Sequence, residues 1–209
     1  MKYKELNRNQ IFNTIGRNAT TIVEIGACDG TDTGAFLNNF KRCHVYSVEP
    51  KPKNIEKWNK KHKNNPRTTL FSGVISETDG VRDLYVSDEV YQGASSIREP
   101  TEKLLTRYKG LEFNEKIPVK SLTLKSFVAK YGIKNIDLLW IDAQGAEIDI
   151  INGGIDVFNS MTRCLFIEFG LVENYKGQIL IDDMVKKLSG FNVIGTCQEN
   201  LFMVNKNKK

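Results

Sequence analysis

Two short segments of this chain crowd carboxylates beside glycine. One reads Glu24-Ile25-Gly26-Ala27-Cys28-Asp29-Gly30-Thr31-Asp32, the other Trp140-Ile141-Asp142-Ala143-Gln144-Gly145-Ala146-Glu147. In the first, Gly26 and Gly30 let the backbone turn sharply and approach a ligand. A dinucleotide loop would place its glycines as G-x-G-x-x-G. Counting from Gly26, Cys28 and Thr31 fill the other two glycine positions, and no Walker A lysine motif occurs. Glu24, Asp29 and Asp32 make this loop a poor cradle for pyrophosphate and a good one for a cation. S-adenosylmethionine (SAM) carries a sulfonium and an ammonium and no phosphate, so it suits the loop. Glu49 closes the next apolar run, where a carboxylate can accept bonds from both ribose hydroxyls. An acid there serves NAD equally well, and the acidic loop favours SAM.

The second segment begins apolar and ends polar. Two carboxylates and an amide at the mouth of a buried strand are costly unless they bind something, although helix capping could account for Asp142 or Glu147. Methyl transfer from a sulfonium is an in-line displacement in which positioning supplies much of the acceleration. A hydroxyl acceptor must still lose its proton. Asp142 is the first candidate base, with Glu147 and Glu168 as alternates. Carboxylates on neighbouring strand ends could also hold a divalent cation. No third ligand is evident, so a metal is possible but not expected. His44 starts its strand and faces the wrong end. His62 lies on a basic helix and is expected to face solvent or the sheet edge. The G-x-S-x-G elbow of serine hydrolases is absent.

These residues need a frame. Thr21–Ala27, His44–Val48, Thr68–Ile75, Ile136–Asp142 and Cys164–Phe169 read as strands, with helical segments between them. This alternation predicts a parallel sheet with right-handed crossovers. Leu124, Phe127, Val128 and Tyr131 give an amphipathic helix between Thr123 as N-cap and Gly132 as C-cap. Ile181, Met184, Val185 and Leu188 give another. Phe191–Gly195 and Leu201–Asn205 read as a closing antiparallel pair. The expected fold is α/β, a single Rossmann-like doubly wound domain over residues 1–209. It has about seven strands with the last one reversed. Residues 76–116 break the rhythm with an expected hairpin (Arg82–Ser87 with Ala94–Ile97) and a helix after Pro100. That insertion and an N-terminal arm, residues 1–18, are the expected substrate walls. Tyr91, Ser95, Ser96 and Arg98 are candidate substrate contacts. In such a sheet, ligands sit beyond the carboxyl ends of the strands.

In order, VEIGACDGTDTGAF, VYSVEP, GASSI, PVKSLTL and LLWIDAQGAEIDIINGG resemble the successive motifs of the FkbM-type methyltransferases, across roughly residues 20–170. The resemblance implies a class I SAM-dependent enzyme that O-methylates hydroxyls of sugars, glycans or natural products. It implies that Gly26, Asp29 and Gly30 surround the methionine part of SAM, and Glu24 and Ala27 are further cofactor-binding candidates. Glu49 would bind the ribose, Asp142 would lie at the cofactor, and Ser72 and Val74 would approach the adenine. The last motif usually carries Glu before its glycine, and Gln144 stands there in this chain. The substitution removes one charge and weakens the case for acid–base work at that position.

Composition narrows the alternatives. The chain has 209 residues, 40% hydrophobic and 26% charged, a globular balance that excludes a disordered chain or fibre. No apolar run is long enough to span a membrane and no secretory h-region opens the chain. Cys28, Cys43, Cys164 and Cys197 are far apart without a CxxC pair, so zinc or redox motifs are not suggested and a reduced, cytoplasmic setting is expected. The net charge of +5 is concentrated. Lys51–Arg67 holds seven basic residues and one acid, and the tail adds three lysines. Such a segment can attract nucleic acid. However, no N/D-P-P-Y/F-like motif follows the fourth strand and no Cys follows a Pro, so a nucleic-acid methyltransferase is the weaker alternative. A non-catalytic partner protein of the same fold is another, opposed by the intact carboxylate clusters.

Overall fold

The computed structural model describes residues 3–208. Seven strands form the main sheet: β1 (Thr21–Ile25), β2 (His44–Glu49), β3 (Thr68–Ser72), β7 (Ile136–Ile141), β8 (Thr162–Glu168), β9 (Phe191–Cys197) and β10 (Asn200–Asn205). Their order is β3-β2-β1-β7-β8-β10-β9. All pairings are parallel except those of β10, which runs antiparallel to β8 and to β9. The reversed last strand is therefore the one expected. Strand order changes direction between β1 and β7, which opens a crevice at their carboxyl ends.

Apolar runs build this sheet because helices cover both of its faces. Val23, Ile25, Leu139 and Ile141 point into one core with Leu124, Phe127 and Ile150. Ile22, Leu138 and Trp140 point into the other, against Phe12 and Phe36. Each large side chain so buried contributes about 1.5–3 kcal/mol. The covering helices are α1 (Arg8–Ile15), α2 (Thr31–Asn39), α3 (Pro52–His62), α5 (Leu124–Lys130), α6 (Glu147–Asn152), α7 (Ile155–Met161) and α8 (Ile181–Lys187), while α4 (Glu102–Arg107) is the helix expected after Pro100. Thr123 caps α5 through its side chain, as the sequence predicts. No helix among the described residues is long and apolar enough to cross a membrane.

Two expectations change. The strand expected over Thr68–Ile75 breaks at Gly73. There a Cβ would sit 2.5 Å from the Lys120 carbonyl oxygen, so the chain can cross between sheets only as glycine. Beyond it, β4 (Val74–Ile75) joins a second sheet of order β4-β6-β5, with β5 (Gly80–Ser87) and β6 (Phe113–Leu122). The expected hairpin partner, Ala94–Ile97, contributes only an isolated bridge, Ser96 to Tyr85. The true antiparallel partner of β5 is β6. Pro118 argues against a strand there, yet β4 reaches only Ser121 and Leu122, so one side of β6 is open at Pro118 and the missing N–H costs nothing. Lastly, the described part of the N-terminal arm packs against the main sheet. Ile11, Phe12 and Ile15 of α1 pack into the core, and neither cavity described below includes an arm residue. Met1 and Lys2 lie outside the described residues.

Candidate active site

A cavity of about 280 Å³ opens at the carboxyl ends of β1, β2 and β7. Its floor is backbone. Gly26 has φ +90°, and a Cβ there would lie 1.8 Å from the Asp142 carbonyl oxygen. Only glycine lets the ends of β1 and β7 meet this closely, with the Asp142 amide donating to the Ile25 carbonyl at 2.9 Å. The Ala27 amide donates to the Val48 carbonyl and the side chain is buried.

Glu49 closes one wall. Its Oε2 accepts from the Cys28 amide at 2.8 Å, and its Oε1 from the Lys51 amide at 2.9 Å and Asn54 Nδ2 at 3.3 Å. Burial pushes this carboxyl up to about 7. Burial, then the adjacent Glu49, pushes the Cys28 thiol up to about 11, which keeps it a thiol. Asn54, on the first turn of α3, lines the same cavity, and its buried Oδ1 has no protein partner. That orphaned acceptor beside a carboxylate fits a ligand rich in hydroxyl or amino donors.

Glu24 stands behind the loop and not in the cavity. Its Oε2 accepts from the hydroxyls of Thr33 and Ser47, while Trp58 Nε1 donates to Thr33. Its Oε1 has no partner, and burial raises its pKa to about 8. Asp29 faces outward. Against partial burial, the Lys61 ammonium at 2.8 Å and the Thr31 hydroxyl and amide hold its carboxyl below the ordinary value. Gly30 begins α2, and its carbonyl accepts from His62 Nε2 at 2.7 Å. His62 is therefore buried against the loop and does not face solvent, a correction to the sequence reading. Val74 lines the cavity, whereas Ser72 is exposed and Gly73 takes the wall position beside Val74.

Where β7 and β8 end, Gln144 bridges two carboxylates. Its Nε2 donates to Asp142 Oδ1 at 2.6 Å and to Glu168 Oε2 at 3.2 Å. The backbone there is left-handed, φ +53°, uncommon for a residue with a side chain. Glu147 is fully buried and accepts from the Ala143 amide at 2.9 Å, leaving Oε2 unpartnered. Burial raises all three carboxyls, Glu147 to about 7, and Glu168 is raised further by Asp142 and Glu147. Three neighbouring acids in poor contact with water favour a shared proton or a nearby positive charge. No group of metal-ligating side chains occurs among the described residues.

Beyond Gln144 lies a second cavity of about 320 Å³, sharing Gln92, Gly93 and Gln144 with the first. Glu168 lines it. The structure separates the four candidate substrate contacts. Tyr91 lines the second cavity. Ser95 and Ser96 line the first, and Ser96 Oγ donates to the Gln144 carbonyl at 2.7 Å. Arg98 lines neither: it is held by Asp149 at 2.6 and 2.9 Å and by the Lys176 carbonyl. Sequence reasoning missed Asn54, Gln92 and Tyr175. Asn54, five residues after Glu49 on a helix start, was open to notice; Tyr175 sits in a polar loop that gives no sign.

The basic helix is occupied. Lys51, Lys53 and Lys57 all reach Glu89, and Lys61 reaches Asp29. Lys51 is buried and also donates to the carbonyls of Ser87 and Asp88. So α3 ties the first cavity to the loop after β5 and is more than a solvated flank.

A family model described as the methyltransferase FkbM domain matches residues 24–195. The curated 2-O-methyltransferase NoeI of Sinorhizobium fredii (strain NBRC 101917 / NGR234) is 28% identical over 190 residues, 88% of this chain and 77% of NoeI. A solved structure described provisionally as an rRNA methylase, from Clostridium thermocellum, aligns over the full length of both chains with a TM-score of 0.53 and 10% identity. A fibrillarin pre-rRNA processing protein from Methanococcus jannaschii aligns over 91% of this chain and 67% of its own, with a TM-score of 0.50 and 11% identity. At those identities the two structures share the fold with this chain.

Proposed function

The chain belongs to the FkbM methyltransferase family, and from that membership we propose that it O-methylates a hydroxyl of a sugar, glycan or small natural product, using SAM. The family implies SAM, which when bound supplies an electrophilic methyl group. The observation that carries the reading is the position of Gln144, with Asp142 on the cofactor side and Glu168 on the other, between two adjoining cavities.

The chain's own residues divide the work. Gly26 lets the ends of β1 and β7 close into the cavity floor, and Glu49 with Asn54 offers acceptors for ribose hydroxyls. Asp29 and Gly30 shape the outer loop, and Glu24 holds α2 behind it. Val74 provides an apolar wall for a flat base. The acidic surroundings favour a sulfonium over a neutral ligand. Asp142 takes the acceptor's proton, Gln144 fixes the orientation of Asp142, and Glu147 holds the loop that carries both. Glu168 is the alternate base on the acceptor side. Residues 76–116 act as the cover, with Ser95 and Ser96 on the cofactor side and Tyr91 on the acceptor side. The reaction is proposed to need no metal.

Calorimetric titration with SAM, S-adenosylhomocysteine and NAD tests the cofactor. Binding of the first two without the third is expected; NAD alone would overturn the reading. Labelled methyl transfer to a panel of glycosides, glycolipids and RNA tests the acceptor, and label confined to RNA would overturn the O-methylation of sugars.

A further inference from the structure

The second cavity has an unusual charge pattern. Every ionisable side chain in its wall is a carboxyl or a phenol: Glu168, Glu199, Tyr91, Tyr108 and Tyr175. The cation at its edge, Arg107, is spent on Glu199 at 2.8 Å and lies over the Tyr108 ring. Arg98, the cation that could have met an anionic acceptor, is turned away to Asp149. Two rings, Tyr91 and Tyr108, meet edge to face at 6.0 Å, and Asn174 brings a buried Oδ1 without a protein partner. Aromatic faces beside amide and carboxyl acceptors suit the C–H faces and hydroxyls of a pyranose ring.

We propose that this cavity is the acceptor subsite and that it selects neutral or amino-bearing sugar rings while rejecting acceptors with a phosphate or carboxylate near the reacting hydroxyl. The inference rests on the methyltransferase reading, since Gln144 makes this cavity the next compartment to the cofactor's. Its physical basis is uncompensated desolvation. An anion here loses water and meets no unpaired cation in the wall, where burial already disfavours the charged form of Glu168. An ammonium or hydroxyl donor meets acceptors on several sides.

The test is a ligand-observed NMR titration of the whole protein with four probes: methyl α-glucoside, glucosamine, glucuronate and glucose 1-phosphate. Each is run with and without S-adenosylhomocysteine. The two non-anionic probes are expected to bind at least about tenfold more tightly than the two anions. Glu199→Gln, at a half-buried position, removes a charge and frees Arg107, and is expected to narrow that preference to about threefold or less. Anions that bind as tightly as the neutral probes would overturn the proposal, as would a preference untouched by Glu199→Gln. Failure of S-adenosylhomocysteine to bind counts against the methyltransferase reading, and the charge preference is read independently in the runs without it.

Discussion

The two cavities either side of Gln144 are built from different materials. The proposed cofactor side is mainly backbone and strand ends: Gly26, the Asp142 carbonyl, and the amides of Cys28 and Lys51 gathered on Glu49. The proposed acceptor side is side chains from stretches far apart in sequence, around Tyr91, Tyr108, Tyr175 and Glu199. A wall of backbone changes only if the fold changes, whereas a wall of side chains changes one substitution at a time. The shared chemistry therefore sits on the sheet and the selectivity on the loops.

If that contrast holds, Gly26→Ala has the largest effect. Its Cβ would enter the Asp142 carbonyl and its φ would be strained, so a loss of about 3 kcal/mol or more and of detectable SAM binding is expected by thermal melting and calorimetry. Unaltered binding would show that the floor is not built from backbone contact. Next comes Asp142→Asn, on the boundary. Turnover is expected to fall about 100-fold or more while SAM affinity changes less than about tenfold. Unchanged turnover would remove Asp142 from the proton transfer.

The smallest effect concerns the acids beneath the cofactor side. Glu24, Glu49 and Glu147 have folded pKa values of about 8, 7 and 7, all above the unfolded value near 4.5. Between pH 4.5 and 8 the folded chain therefore holds protons that the unfolded chain has released, and stability falls as pH rises through that window. The ligand-free protein is expected to melt at a lower temperature at pH 8.5 than at pH 5. Glu24→Gln should flatten that slope. A melting temperature that rises with pH would mean that these carboxyls stay ionised in the folded chain.

The backbone-built half was legible in the sequence and the other half mostly was not. β1, β7 and β8 announce themselves as apolar runs because both faces are buried, and Glu49 and Asp142 follow as the residues at their ends or neighbours' ends. β6 hid because half its residues face solvent and Pro118 interrupts it. The break at Gly73 depends on a contact with Lys120, which no local pattern reveals. His62 read as exposed because its helix is lysine-rich, yet the position of α3 turns it onto Gly30. Tyr175 and Asn174 reach the site only because their loop bridges to Pro100 and Thr101.

Ser87 and Phe113 face each other across the β5–β6 ladder, so residues 88–112 leave and rejoin the second sheet at one place. Within that excursion, the part after Ile97 gives Leu104, Tyr108 and Leu111 to the acceptor cavity and nothing to the cofactor cavity. Lengthening or shortening such a closed excursion costs little, about 0.6 kcal/mol per doubling. The part after Ile97 is thus a replaceable cassette: its exchange re-shapes the proposed acceptor wall while residues 92–97 and the register of the main sheet, and with them the proposed methyl donor's seat, stay where they are.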